Sequence, residues 1–199
     1  MGTAKMLAER LRVDLFSTNA DQQVAAARQL CEQRNWDALP LLLRLLAQDE
    51  CGFSVAQALV AFGPEVCHQV ELLLMDENKR TQYRAAWILA HFGDKRAARP
   101  LLDALKEPFF NDQYVPALSR LGVPDLDRTL VRELSRHRQD TNHPSACFRS
   151  ATFLWALTQM RSQAAVDLAP HFTHEAHHRL VRQRAAHYLQ TIAPEQREA

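Results

Sequence analysis

The chain is poor in what most other architectures need. It has five glycines in 199 residues, too few for the tight turns of an all-β fold. Its four cysteines, Cys31, Cys51, Cys67 and Cys147, include no CxxC pair. A zinc knuckle and a dithiol redox site are therefore not written here. The even count would allow two disulfides. Isolated thiols on apolar helix faces in a reducing compartment are the plainer reading. Charge of one sign is also lacking: 24 basic against 23 acidic residues leave a net charge of +1. No global field draws the chain to nucleic acid or to a membrane surface. No run approaches the ~18 apolar residues of a membrane span. The first sixteen residues alternate charge with apolar side chains and do not read as a signal sequence. The expectation is a soluble, cytoplasmic protein with no membrane partner.

What the chain has is alanine, leucine, arginine and glutamine, all good helix formers, and an internal repeat. The window YRAAWILAHF at residues 83–92 falls into step with five others, starting at residues 24, 53, 112, 148 and 183. The seventh position is leucine in all six: Leu30, Leu59, Leu89, Leu118, Leu154 and Leu189. The fourth is Ala27, Ala56, Ala86, Val115, Ala151 and Ala186. The tenth is apolar in five windows, with Gln33 the exception. Positions one, four, seven and ten share one stripe of a helix. Small residues there let a neighbouring helix approach, and leucine fills the gap.

Each window is followed by a break and a second amphipathic stretch. Gly63-Pro64, Gly93-Asp94 and Gly122-Val123-Pro124 supply three of the breaks. The second helices are expected near residues 36–47, 65–75, 95–106, 125–138 and 163–169. Pro40 and Pro100 fall in first turns, where a missing amide hydrogen costs little. An opening helix over residues 4–15 and a closing one near 179–192 complete the set, followed by a charged tail at 195–199. One helix–turn–helix unit cannot bury both its apolar faces, so the units must stack. The reading is a single all-α domain over residues 1–199, an α-solenoid of about six repeats. The fourth and fifth units break the period: the linker at 138–144 adds residues, and 167–178 admits two parsings. Either a helix kinks at Pro170, or Pro170 begins the final helix; the second is preferred because proline suits a helix start.

The pattern [small]-x-x-Leu-x-x-[Phe/Leu]-Gly-[Asp/Pro] followed by Pro-Leu-Leu resembles the HEAT repeat, in the short subtype known from phycobilisome lyases. RAAWILAHFGDKRAARPLLDALKE carries it most clearly, and the likeness runs along nearly the whole chain. It implies fold more than function, because such repeats serve as scaffolds, adaptors, immunity proteins and sometimes enzymes. It also implies that the second helices line the concave surface. The residues expected to meet a protein partner are therefore Arg44, His68, Glu71, Arg99, Asp103, Arg128 and Arg132, through charge complementarity. No catalytic residue and no cofactor is assigned.

Other features compete. His174-Glu175-Ala176-His177-His178 matches HExxH, and with a helix from Pro170 the side chains of His171, His174 and His178 would share a face with metal-ligand spacing. No third-ligand extension follows, and the flanking Arg179, Arg182 and Arg184 suit a solvated face. The di-iron hydroxylases built on HEAT repeats need several His-Glu pairs, and this chain has one. A bilin-lyase-like, tetrapyrrole-handling enzyme stays open as an alternative implied by the resemblance, as does a nucleic-acid-binding HEAT-like protein. For the latter, residues 108–199 hold eleven arginines against nine acidic residues. Arg132, Arg136 and Arg138 form one cluster and Arg179, Arg182 and Arg184 another; acidic neighbours such as Asp125, Asp127 and Glu133 argue for solvated faces instead. Arg84, Arg149 and Arg184 recur at one repeat position and are expected to bond to carbonyls or carboxylates of an adjacent turn. A partly exposed tryptophan among Trp36, Trp87 and Trp155 would anchor a partner. Seven of nine histidines lie between His137 and His187, so acid should charge the last third.

Overall fold

The computed structural model describes residues 2–107, 109–139 and 143–193. These are helices and turns, with no strand among them. The first helices of the repeats are α2 (Ala20–Glu32), α4 (Gly52–Leu59), α6 (Lys79–His91), α8 (Tyr114–Arg120), α10 (Pro144–Gln159) and α11 (Arg179–Ile192). Each falls on one of the six windows. The opening helix is α1 (Gly2–Asp14), and the second helices are α3 (Leu39–Leu45), α5 (Cys67–Glu71), α7 (Ala98–Ala104) and α9 (Leu126–Arg136). The leucine stripe does what its spacing requires. Leu30, Leu59, Leu89, Leu118 and Leu154 are fully buried, as are Ala27, Ala56 and Ala86.

The chain divides after Leu101 into two compact units. In the first, α1 packs on α2, α2 on α4, and α4 on α6. In the second, α8 and α9 each pack on α10, and α10 packs on α11. Second helices are entered through short 3-10 turns at Trp36–Ala38, Pro64–Val66 and Lys95–Ala97. Asn35 and Asp94 start two of them by accepting the backbone N–H of Ala38 and Arg96.

Four of the first helices end in the same left-handed closure. After α6, Gly93 has φ 80, its N–H donates to the Ala90 carbonyl, and the Asp94 N–H donates to that of Leu89. Gly122, φ 65, does the same after α8. After α2 and α10 the left-handed residue is an arginine: Arg34 at φ 48 and Arg161 at φ 50. Those two repeats lack glycine and adopt the closure anyway, at a steric cost of about 1 kcal/mol. Arg161→Gly is therefore expected to raise stability by about 0.5–1 kcal/mol, read as a higher urea midpoint at unchanged slope. An unchanged or lower midpoint would contradict it.

Two of the recurring arginines clamp the loops that lead into preceding first helices. The Arg84 guanidinium donates to the Leu46 and Gln48 carbonyls at 2.5 and 2.6 Å, and Arg80 pairs with Asp49 at 2.8 Å. Arg149 donates to the Lys106 and Glu107 carbonyls, each at 3.1 Å. Each thus satisfies a carbonyl left open where a second helix ends, that of Leu46 or of Lys106, and shares a second one, that of Gln48 or of Glu107, with the Gly52 or the Phe110 N–H.

Two expectations fail. Residues 163–169 form no α-helix. Two of their bonds run to the third residue back, Val166 to Gln163 and Leu168 to Ala165, a single one to the fourth, Ala169 to Ala165, and they lead into a 3-10 turn at Ala169–Thr173. Pro170 has no N–H to continue an α-helical ladder, and the Tyr188 hydroxyl takes over the Ser162 carbonyl and the Ala165 N–H. Nor does Pro170 start the final helix, which begins at Arg179. Residues 140–142 of the linker and the tail at 195–199 lie outside the described residues.

Candidate functional site

In the first unit, Arg44 on α3 stands between two cavities. One, of about 430 Å³, is walled by Phe16, Leu41 and Leu45. The other, of about 530 Å³, is walled by Pro40, Leu43 and Leu73. Arg44 lines both. It is exposed, and its side chain makes no hydrogen bond or ion pair with the described residues. The alternation follows from α3's sequence, LPLLLRLL. Leu42, Leu45 and Leu46 take the buried stripe, which leaves Leu41, Leu43 and Arg44 on the outer side. Large apolar side chains lie open on the same unit: Phe16 is 69% exposed, Leu72 70% and Met75 86%.

The other residues expected to face a partner are more tied down. Glu71 accepts from Arg96 at 2.5 Å and meets the exposed His68 at 3.2 Å. Arg96 also grips Asp94 with two nitrogens. That grip holds the Asp94 carboxyl below its ordinary range. Glu71 therefore links α5 to the turn before α7, and its placement is structural. Arg99 is exposed but engaged in further interactions. In the second unit, Asp103 pairs with Lys106 at 3.4 Å, Arg128 with Asp125 at 3.3 Å, and Arg132 donates to the Thr129 hydroxyl. Such exposed pairs contribute little to stability. Arg136 is held by the buried Glu133, which breaks up the arginine cluster on α9.

The histidine segment lacks the helix that metal-ligand spacing needs. Residues 174–178 are bend and turn between the 3-10 turn and α11. His174 accepts the Ala176 N–H, and His178 caps α11 by accepting the Leu180 N–H. His171 lies 3.2 Å from the Arg138 carbonyl. The one-face arrangement of His171, His174 and His178 is thus not formed, and among the described residues no group of three His, Cys, Asp or Glu is placed to hold a metal. Nothing in the histidine spacing marks His177 as the inward one. It is 5% exposed, with its ring against Phe172 and His171. Burial, and then the neighbouring His171 and His174, lower its pKa below 6.5. The folded state thus resists a proton that the unfolded chain accepts. Stability should be flat above about pH 6.5 and fall as pH drops from there to the folded pKa. His177→Phe should flatten that limb of a urea-midpoint profile; an acid limb of equal depth in the variant would exclude His177 as its source.

The cysteines are all free, with Cys31, Cys51 and Cys147 buried. Burial, with Glu32 nearby, pushes the Cys31 thiol up to about 12, and burial also raises Cys51 and Cys67. Burial thus disfavours the thiolate form at these three residues. Trp87 is a core residue, 7% exposed, whereas Trp36 is 43% exposed against Phe62 and Trp155 is half-buried. No described helix is by itself long and apolar enough to cross a membrane.

No curated protein matches this chain. Residues 81–107, which hold most of α6, its glycine closure and α7, match the family described as PBS lyase HEAT-like repeat. The described residues are all helix and turn, and residues 81–107 are similar to a HEAT-like repeat of that family.

Proposed function

We propose that the chain is a non-enzymatic protein-binding scaffold, of adaptor or immunity type, acting in the cytoplasm through the surface of its second helices. The observation that carries this reading is Arg44, an unpaired guanidinium set between two leucine-walled cavities. An exposed cation among open apolar side chains is the composition of a binding surface with anchors and a charged selector. His68, Arg99, Asp103, Arg128 and Arg132 would add steering charge, with Glu71 buttressing. The buried thiols and the non-helical histidine segment offer no nucleophile or metal centre to an enzymatic alternative. The mixed charge of the surface does not favour nucleic acid.

The test is capture from the native host with wild-type chain and Arg44→Glu side by side, with elemental analysis and an absorption spectrum of the same samples. The expected result is a stoichiometric protein partner that falls at least about tenfold in the variant, since reversing an interfacial charge costs that much or more. Stoichiometric metal or a visible chromophore would instead support the metal- or tetrapyrrole-handling reading. A partner retained equally by Arg44→Glu would remove this surface from the proposal.

A further inference from the structure

The second unit holds another groove, on the first helices rather than the second. α8, α10 and α11 enclose a cavity of about 340 Å³ walled by Pro116, Phe148, Trp155 and Leu180, with Arg184 and Asp112 at its rim. On the other side of Trp155 and Pro116 lies a cavity of about 290 Å³ reaching Met160. Phe148, Met160 and Leu180 are the large apolar side chains of this unit more than a third exposed among the described residues, at 43%, 37% and 40%. All three line this pair of cavities. Exposed apolar surface in this unit is thus gathered on one feature rather than scattered, and gathering marks binding surfaces.

Arg184 identifies the missing chemistry. It occupies the repeat position of Arg84 and Arg149, whose guanidiniums each donate to at least two carbonyl oxygens. Arg184 is half-buried on the groove wall and makes no hydrogen bond or ion pair among the described residues. A guanidinium beside an apolar wall, with its donors open, favours a carboxylate that can take two of them at once. Asp112 also lines the cavity and balances the charge of Arg184, and a lining with no net positive charge suits a single side-chain carboxylate of a peptide better than a polyphosphate chain.

We propose that this groove is a second docking site, for a peptide segment of a partner protein that sets an aromatic or aliphatic side chain beside Trp155 and an acidic side chain on Arg184. It is independent of the Arg44 surface.

The experiment is selection of short random peptides, displayed with their C-termini fused so that no terminal carboxylate is free, on the full chain. The enriched sequences are then measured as amidated synthetic peptides. Enriched sequences should pair a Trp, Phe or Leu with an Asp or Glu. Their affinity should fall about tenfold or more in Arg184→Gln and in Leu180→Ser and stay unchanged in Arg44→Glu, with all three variants melting as folded chains. No enrichment, enrichment without an acidic requirement, or full affinity in Arg184→Gln would overturn the proposal. Peptides lost by Arg44→Glu but kept by Arg184→Gln would overturn it while supporting the second-helix surface. Tight binding of a short single-stranded RNA, abolished by Arg184→Gln, would overturn it in favour of nucleic acid.

Discussion

Arg84→Met is expected to cost about 3 kcal/mol of folding stability, although a surface-charge reading would leave this arginine in the middle of α6 alone. The side chain is 7% exposed. Its guanidinium satisfies the carbonyls of Leu46 and Gln48, which close α3 and start the loop into α4. Methionine keeps most of the stem and its packing, so the loss isolates the charge-assisted bonds and the Leu46 oxygen left without a donor, since the Gln48 oxygen keeps the Gly52 N–H. Gly52, in the first turn of α4, shows how closely this is built. A Cβ there would collide with the Arg84 guanidinium and lie 2.9 Å from the Leu46 carbonyl. Gly52→Ala would gain about 1 kcal/mol from helix propensity alone, yet it should destabilise the wild type because it evicts the arginine. In the Arg84→Met background the part of that penalty owed to the guanidinium should vanish, while the close approach to the Leu46 carbonyl remains. A double-mutant cycle by urea denaturation should give a coupling of at least about 1 kcal/mol. Strict additivity of the two substitutions would refute the clamp as the source of the Arg84 effect.

That pair also shows what a one-dimensional reading can and cannot reach. The helices were legible because their information is local: a leucine every repeat, a small residue three positions before it, a break after it. Those residues are buried as the spacing requires, from Leu30 through Leu154. The loop-bonding role of the recurring arginines was legible too, since Arg84 and Arg149 do hold carbonyls of neighbouring turns. Arg184, at the same position, has no such partner, because a repeat position fixes where a side chain starts and not what stands opposite it. Arg34 and Arg161 were missed as helix closers because glycine is the usual sign of a left-handed residue. The stretch 163–178 was misread for a related reason. Its alanines, leucine and proline satisfy helix rules one residue at a time, while a tertiary bond from Tyr188 decides against the helix. Of the candidate surface, the exposure of Arg44 was predictable from α3's stripe. That Glu71 is consumed by Arg96 was not, since the bond joins residues of different repeats.

Tyr188→Phe should cost about 2 kcal/mol and loosen the turn at 162–169 before the rest of the second unit. Tyr188 is fully buried. Its hydroxyl donates to the Ser162 carbonyl at 2.7 Å and accepts the Ala165 N–H at 3.2 Å. Burial raises its pKa above 10, so at neutral pH the hydroxyl is protonated and can serve as donor and acceptor together. The Ser162 side chain in turn donates to Asp127 on α9 at 2.8 Å. One phenol therefore ties α11 to a turn that is itself tied to α9, in the repeat where no second helix forms. Phenylalanine preserves the ring's packing and leaves two polar backbone groups without partners. Amide exchange at Ala165 should accelerate by more than the global loss of stability explains, while amides in the middle of α10 should follow the global change. If Ala165 and α10 shift together, the turn is not a separately held element. The irregular fifth repeat would then owe its shape to the packing of Phe172 and Ala169 rather than to the hydroxyl.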